Sequence, residues 1–160
     1  MAVTGQTDHD ALLDLSYAYA SSIDRRDCNA FLAVFHPDAT VCSYPPGQSE
    51  NPTMQRTGHQ ELAMIVDKII PRMCTKSFHL VANARFTVDG DAASGEAYGV
   101  AHHLTTGDDH GGTDYVWFMR YRDQYTRVDG EWCIKHRDAL TDWTETRFVD
   151  PTASGTAPTR

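Results

Sequence analysis

The chain lacks any apolar run that approaches the ~20 residues needed to cross a bilayer. Residues 1–10 contain neither a basic nor an apolar segment, so they do not resemble a signal peptide. Basic residues are few, since 14 Lys and Arg stand against 22 Asp and Glu, for a formal net charge of −8. Nucleic acids and anionic membranes need a basic surface, so neither is an expected partner. We expect a cytoplasmic protein.

Motifs for nucleotides and metals are missing as well. The sequence has no G-x-G-x-x-G and no P-loop, which argues against nucleotide binding. Its 4 cysteines are far apart and form no C-x-x-C pair, which is typical of reduced thiols. A stretch rich in His and Asp, 102–114, matches no known metal-ligand spacing. We therefore expect no metal and no other cofactor.

The composition is that of one globular domain. The 160 residues are 41% hydrophobic and 22% charged. A chain of this size buries roughly two-thirds of its unfolded surface, which is enough for a core or an enclosed pocket. We predict one domain over residues 1–149 and a flexible tail, rich in Pro, Thr, Ala and Gly, over 150–160.

The N-terminal part has helical spacing. Residues 8–23 are predicted as a helix because apolar residues recur every three or four positions: Leu12, Leu15, Tyr19 and Ile23. Asp27 can cap a short second helix, which Pro37 would stop. A short strand is predicted at 39–44.

A third helix is predicted after a polar loop at 48–56. Thr57 and Gln60 fit a capping box at its start. Apolar residues follow at i, i+3, i+4, i+7 and i+8: Leu62, Ile65, Val66, Ile69 and Ile70. Pro71 is predicted to end the helix.

From Thr75 onward the apolar spacing changes to two, which is typical of strands. Asp-Gly turns and a glycine-rich loop separate the predicted strands: 75–88, 93–105, 113–127 and 132–144. Helices followed by a strand meander indicate an α+β fold in which a curved antiparallel sheet wraps around the helices. One face of the second long strand is small, with Gly95, Ala97, Gly99 and Ala101. This face leaves room for a ligand, or else allows close helix–sheet packing.

Asp24, His79 and His103 are the best candidates for acid–base chemistry. Asp24 continues the apolar stripe of the first helix, so it lies either at the surface or pointing inward. A lone strand histidine is usually structural. If both imidazoles face one cavity and Asp24 reaches one of them, the carboxylate fixes the imidazole tautomer and supports its protonated form.

Three segments resemble a known family: the helical YAYASSIDRRD, the strand KSFHLVANARF and the late YRDQYTRVDGEWCIKHRDALTDW. They are similar to the SnoaL-like and scytalone-dehydratase-like branch of the nuclear-transport-factor-like superfamily, over about residues 8–145. The resemblance implies a cone-shaped α+β barrel with three N-terminal helices. It also implies that Asp24 and His79 are the catalytic pair carried by dehydratases and dehydrochlorinases of this group.

Further site residues follow from the same resemblance. Tyr19 falls at a catalytic tyrosine of bile-acid 7α-dehydratases, and Tyr44 near the water-positioning tyrosine of scytalone dehydratase. His103 falls at the second histidine of that enzyme. Asn83 follows His79 at +4, as in the dehydrochlorinase, and is a candidate for substrate binding.

Aromatic residues of the late strands are candidates for stacking on a ring-shaped ligand, with core packing or subunit contact as the alternative. These are Trp117, Tyr121 and Trp143. Met119 and Tyr121 replace the serine and asparagine that hold the substrate carbonyl in scytalone dehydratase. This departure from the family pattern argues against scytalone itself as the substrate.

The resemblance implies a cofactor-independent lyase or isomerase, first of all a dehydratase, acting on a small apolar oxygenated ring compound such as a polyketide, terpenoid or steroid. A cyclase remains open, as does an epoxide hydrolase if Arg85 or Arg120 faces inward. A third alternative is a non-catalytic ligand-binding or structural subunit. Relatives pack through the outer sheet face, so a homo-oligomer, either a dimer or a trimer, is expected.

Overall fold

The structure, a computed structural model, describes residues 7–106 and 111–149. The predicted tail at 150–160 lies outside the described residues. Helical segments come before the long strands, as the sequence spacing predicts: α1 (Asp8–Arg25), α2 (Cys28–Ala33), α3 (Gly58–Met64), a π-helical turn (Ile65–Ile69) and α4 (Ile70–Met73). No helix among the described residues has the length and apolar character needed to cross a membrane.

Capping side chains fix where the first two helices begin. The Thr7 hydroxyl accepts a hydrogen bond from the Asp10 backbone N–H at 3.2 Å at the start of α1. α1 ends at Arg26, whose left-handed φ of 57° turns the chain. Asp27 then accepts from the Ala30 N–H at 3.0 Å, so its predicted capping role is confirmed.

The six strands found in residues 7–106 and 111–149 form one sheet in the order β2-β1-β6-β5-β4-β3. Their bounds are Phe35–Tyr44 (β1), Met54–Thr57 (β2), Lys76–Asp89 (β3), Ala92–Thr106 (β4), Gly112–Val128 (β5) and Glu131–Val149 (β6). The α+β prediction is confirmed, and the sheet curves around the helices. The long strands β3 to β6 pair antiparallel, as predicted, whereas β1 runs parallel to β6, so the sheet as a whole is mixed. Side-chain alternation is the same for both strand directions, so the sequence pattern does not reveal this pairing.

Several local predictions need correction. Pro37 does not stop a helix but lies inside β1, which starts at Phe35, and the polar loop at 48–56 contains the start of β2. Glu61, rather than Gln60, accepts from the Thr57 backbone N–H, at 2.9 Å. Pro71 does not end the helical segment but lies in α4, directly after the π-helical turn.

A β-bulge in β3 changes which side chains face the core. Val81 pairs with Gly99 but Ala84 pairs with Ala97, so two residues of β3 oppose one of β4. Before the bulge Ser77, His79 and Val81 are the less exposed residues, whereas after it they are Ala84 and Phe86. The bulge therefore reverses the alternation that the sequence predicts to be continuous.

The sheet's inner face packs on α1, mainly through β3 and β6, and the core lies between them. Leu12 and Ile23 of α1 are fully or almost fully buried there, as is Phe31 of α2. The core does not fill the whole cone. A cavity remains between the α3–α4 region and residues on the inner face of β1, β5 and β6.

Candidate active site

The cavity has a volume of about 430 Å³ and a mainly apolar wall. One side is formed by the π-helical turn and α4, with Ile65, Ile69, Ile70 and Met73. The sheet supplies the opposite side, with Trp117, Met119, Tyr121, Ala139 and Thr141. His79 and His103 are the imidazoles in the lining. An apolar cavity with few polar groups is the usual form of a small-molecule site.

Asp24 and His79 are joined by two hydrogen bonds. The His79 ring Nδ1 lies 2.7 Å from Asp24 Oδ1, and the His79 backbone N–H donates to Asp24 Oδ2 at 2.8 Å. Their side chains are 19% and 7% exposed, respectively. A carboxylate only accepts, so Nδ1 carries a proton, and in the neutral ring Nε2 keeps its lone pair. The structure thus brings together the pair on which the sequence argument rests.

The electrostatics of Asp24 favour its charged form. Burial opposes ionisation, but the hydrogen bonds from the His79 ring and backbone N–H, with the charge of protonated His79, outweigh it. The pKa of Asp24 therefore lies below its ordinary value. An ionised Asp24 can hold the His79 tautomer and stabilise a proton on the ring.

His103 is buried beside His79 and is uncharged at neutral pH. The ring centroids of the two histidines are 5.7 Å apart, and that of Trp117 is 4.6 Å from His103. Burial, followed by the charge of protonated His79, lowers the pKa of His103 to about 4. Its Nδ1 lies 3.3 Å from the Tyr115 carbonyl oxygen, which only accepts, so Nε2 of His103 is an acceptor.

Tyr19 and Tyr121 lie at the base of the cavity on a buried cation. The Arg137 guanidinium is 4.1 Å from the Tyr19 ring centroid and 4.7 Å from that of Tyr121. Arg137 is 1% exposed and forms a two-pronged ion pair with Asp123, with distances of 2.8 and 2.5 Å. Burial raises the pKa of Tyr19, although the Arg137 charge opposes this, so its hydroxyl stays protonated.

Sequence reasoning missed Arg137 and Asp123. The sequence pattern assigns no role to the HRD triplet at 136–138. Alternation along β6 was the available signal, because Arg137 falls on the same face as Ala139, which lines the cavity. A charged residue in that register must be paired if it is buried.

Tyr44 lies at the cavity rim, beside Pro45 and Pro46. Burial and the neighbouring Asp138 carboxylate raise the pKa of Tyr44 to about 12, with a smaller effect from Cys42. The Tyr44 side chain is thus close to groups of the outer sheet face. Its predicted hydrogen bond to a substrate stays a prediction.

Two residues predicted to contact a ligand, Asn83 and Trp143, lie outside the cavity lining. Asn83 is exposed and outside the cavity lining, because the β3 bulge turns it away from the face of His79. Trp143 is 53% exposed and stacks on Phe118, with ring centroids 4.5 Å apart. Trp143 lies outside the lining, whereas Trp117 and Tyr121 belong to it.

The small residues of β4 do not create the cavity. A Cβ on Gly95 would lie 2.5 Å from the Phe86 ring, and one on Gly99 would lie 3.0 Å from the Tyr121 ring. Close packing of aromatic side chains therefore explains these glycines, which corrects the prediction that their face leaves room for a ligand.

The arginines considered for epoxide hydrolysis do not line the cavity. Arg85 is exposed on β3, and Arg120 pairs with Asp142 at 2.5 Å.

The two adjacent histidines of the His- and Asp-rich stretch, 102–114, point to opposite sides of the sheet. His102 pairs with Asp114 at 2.7 Å, on the side of the sheet opposite His103, and 107–110 lie outside the described residues.

Among the described residues, one group of three side chains has the chemistry and proximity to hold a metal ion: Cys42, His136 and Asp138. None of the three lines the cavity.

This protein is an α+β domain whose curved sheet encloses an apolar cavity. A hydrogen-bonded His–Asp pair lies at the wall of that cavity. Residues 6–138 match the family model described as the SnoaL-like domain. The chain therefore belongs to the SnoaL-like family. A comparison with curated proteins gave no match.

Solved structures share the fold. A provisionally assigned scytalone dehydratase of Novosphingobium aromaticivorans has a TM-score of 0.70 at 23% identity, over 94% of this chain and 95% of that one. A hexachlorocyclohexane dehydrochlorinase of Novosphingobium barchaimii has a TM-score of 0.74 at 15% identity, over 87% and 89%. A Mycobacterium tuberculosis protein of unknown function has a TM-score of 0.68 at 22% identity, over 82% and 70%.

Proposed function

We propose that this chain is a cofactor-independent lyase or isomerase, and most specifically a dehydratase, for a small apolar ring compound that carries oxygen. The observation that carries this proposal is the hydrogen-bonded Asp24–His79 pair in the wall of an apolar cavity. Such a pair supplies a general base without a metal or an organic cofactor.

The reaction begins at His79 Nε2, which takes a proton from a carbon next to the substrate carbonyl. The electrons of that C–H bond form a C=C bond as the neighbouring C–O bond breaks. The leaving hydroxyl takes the proton back from the His79 ring and departs as water, which restores the enzyme. Asp24 stabilises the charged ring between these events.

The other polar groups bind oxygen atoms of the substrate in this proposal. Tyr19 stays protonated and donates a hydrogen bond to the carbonyl oxygen on which charge develops. His103 Nε2 accepts one from the leaving hydroxyl and thereby orients it. Tyr44 assists from the rim, directly or through water. Trp117 and Tyr121 contact the ring of the substrate.

The names of two structural neighbours support elimination chemistry for this chain. One is provisionally assigned as a scytalone dehydratase and the other is a hexachlorocyclohexane dehydrochlorinase. Removal of water and removal of hydrogen chloride share one demanding step, the transfer of a proton from carbon to a base. His79 is suited to that step, and the cavity of about 430 Å³ fits a substrate of one or a few rings.

A panel of cyclic β-hydroxy ketones tests the proposal. Turnover gives a conjugated enone, which is followed by its ultraviolet absorbance. His79→Gln should abolish the reaction, whereas the matched control His9→Gln, on the first turn of α1, should not. Equal turnover by the His79 variant would refute the mechanism. Tight binding of panel compounds without turnover by the natural chain would instead favour the non-catalytic alternative.

We also propose that the chain forms a homo-oligomer through the outer sheet face. Large apolar side chains are exposed there on β3, β4 and β6: Phe78, Leu80, Tyr98 and Trp143. Clustered exposed apolar groups are typical of protein–protein contacts. Light scattering after size exclusion should give a dimer or trimer that Leu80→Glu dissociates. Val128→Glu, at an exposed apolar residue beside the β5–β6 turn, is the control and should leave it intact. A monomeric natural chain would contradict this proposal.

A further inference from the structure

Cys42, His136 and Asp138 lie together on the outer face of the sheet, away from the cavity. Cys42 of β1 is the direct partner of Asp138 in the parallel β1–β6 ladder. His136 lies two residues before Asp138, so its side chain points to the same face. The residues between and beside them, Arg137 and Val41, belong to the inner face and the core.

The three ligand atoms are close enough to converge on one ion. Cys42 Sγ, a ring nitrogen of His136 and a carboxylate oxygen of Asp138 all lie within 4.8 Å of one another. His136 Nε2 and Asp138 Oδ1 are already 2.9 Å apart. A tetrahedral zinc ion places such ligands about 3.3–3.8 Å from one another, given metal–ligand bonds of about 2.0–2.3 Å. Small side-chain rotations bridge the difference.

We propose that Cys42, His136 and Asp138 form a binding site for a zinc-type divalent cation, with water as the fourth ligand. Thiolate, imidazole and carboxylate are the ligands that Zn²⁺ uses in proteins, and three of them plus water make an open tetrahedral site. The soft sulfur selects against Mg²⁺ and Ca²⁺, which prefer oxygen.

The surroundings suit an ion that enters from solvent. His136 and Asp138 line an open groove on the outer face, together with Glu96 and Gln124. The groove gives water and metal access to His136 and Asp138, while Cys42, 5% exposed, lies outside the groove lining, on the neighbouring strand β1. A bound cation would join β1 to β6 at the only parallel pairing among the described strands, and so stabilise the wall that also encloses the cavity.

The alternative is a plain ion pair between His136 and Asp138 over a buried thiol. The two arrangements differ in whether sulfur binds the metal. Titration of the metal-free protein with Co²⁺ shows directly whether sulfur binds the metal, because thiolate coordination gives a charge-transfer band in the near ultraviolet. Tetrahedral geometry gives strong visible bands. We expect one equivalent of Co²⁺ to bind, and Zn²⁺ to displace it with loss of both bands.

Variants locate the site. Cys42→Ser should remove the charge-transfer band, and Asp138→Asn should weaken binding at least tenfold. Cys133→Ser, at another buried thiol, and His79→Gln, in the cavity, are the controls and should bind like the natural chain. Zn²⁺ should raise the melting temperature of the natural chain and of both controls, but not that of Cys42→Ser.

Two results would overturn the proposal. One is a charge-transfer band that survives in folded Cys42→Ser, and the other is the absence of a saturable one-to-one Co²⁺ complex in the natural chain. If Cys42→Ser does not fold, X-ray absorption of the zinc-loaded natural chain decides the question. One sulfur among the zinc ligands supports the site, and a shell of nitrogen and oxygen alone rejects it.

Discussion

Asp24 accepts two hydrogen bonds from one residue, His79: one from the ring Nδ1 at 2.7 Å and one from the backbone N–H at 2.8 Å. The second bond ties the carboxylate to the strand that carries the imidazole. The end of α1 and the start of β3 are thereby fixed relative to each other, and the ring has one orientation with Nε2 free. Pre-set orientation of this kind is what general-base catalysis needs.

Asp24→Asn tests this orientation with little change in shape. The Asn amide can still accept from the backbone N–H, but its NH₂ group would face Nδ1. The ring would then place its proton on Nε2 and lose the base. We expect kcat to fall about 10²–10⁴-fold with KM nearly unchanged, measured on a substrate found with the ketone panel. Asp38→Asn, at an exposed position of β1, is the control. An unchanged kcat in Asp24→Asn would exclude the proposed role.

His103 should make the fold sensitive to acid. Its pKa falls from 6.5 to about 4 on folding, so the unfolded chain binds the proton more readily. The stability that a neutral His103 contributes is present above pH 6.5 and is lost as the pH falls from 6.5 to about 4. The loss is roughly 3 kcal/mol.

Urea unfolding of the natural chain and of His103→Gln measures this contribution. The difference in the free energy of unfolding between the two should depend on pH between 4 and 6.5 and be constant above that range. Since other groups titrate in both proteins, the difference isolates His103. A difference that is independent of pH would contradict the assignment of a neutral, buried ring.

Removing only one member of the Asp123–Arg137 ion pair should lower the free energy of unfolding strongly. Both side chains are 1% exposed, and Asp123 also accepts from the Tyr125 hydroxyl at 2.8 Å. Asp123→Asn leaves the guanidinium without a counter-charge and should destabilise the fold by about 3–5 kcal/mol in urea unfolding.

Replacing both members should cost less than replacing one. Asp123→Leu combined with Arg137→Met removes both buried charges, and we expect it to recover at least half of the lost stability. Glu145→Gln, in an exposed pair with Arg147, should change stability by at most about 0.5 kcal/mol. A double variant no better than Asp123→Asn would show that the pair contributes more than mutual neutralisation.

Gly99 should tolerate no side chain without a shift of Tyr121. An added Cβ would lie 3.0 Å from both the Leu80 carbonyl oxygen and Tyr121 Cε2. We expect Gly99→Ala to destabilise the fold by about 1–3 kcal/mol, measured by thermal or urea unfolding. Ser94→Ala, at an exposed position of the same strand, serves for comparison and should be nearly neutral. Equal stability of the two variants would mean that the sheet yields easily at Gly99.

The sequence predicts the elements of this fold better than their partners. Helical spacing, caps and two-residue alternation depend on neighbours along the chain, so α1, the Asp27 cap and the long strands follow from it. The parallel β1–β6 pairing and the bulge at Val81 and Ala84 depend on residues far away. The sequence of β3 itself contains no glycine or proline that would mark that bulge.

In the candidate site, too, local spacing predicts some positions correctly, whereas positions that depend on distant residues are not predicted. His79 lies before the bulge, where the predicted alternation still holds, and it lies in the cavity wall. Asn83 lies within the bulge and is turned out. Arg137 was overlooked because its burial depends on Asp123, a partner on another strand whose proximity no local pattern reveals.

The position of β1 also determines when a binding cavity can exist during synthesis. This early strand pairs with β6, which is the last strand of the described chain. In a nascent chain, β1 can pair early with β2, but its parallel partner β6 is made only after the other described strands. Pairing between such distant segments forms slowly. The capacity to hold a ligand thus arises only after β6, the last of the described strands, has been synthesised.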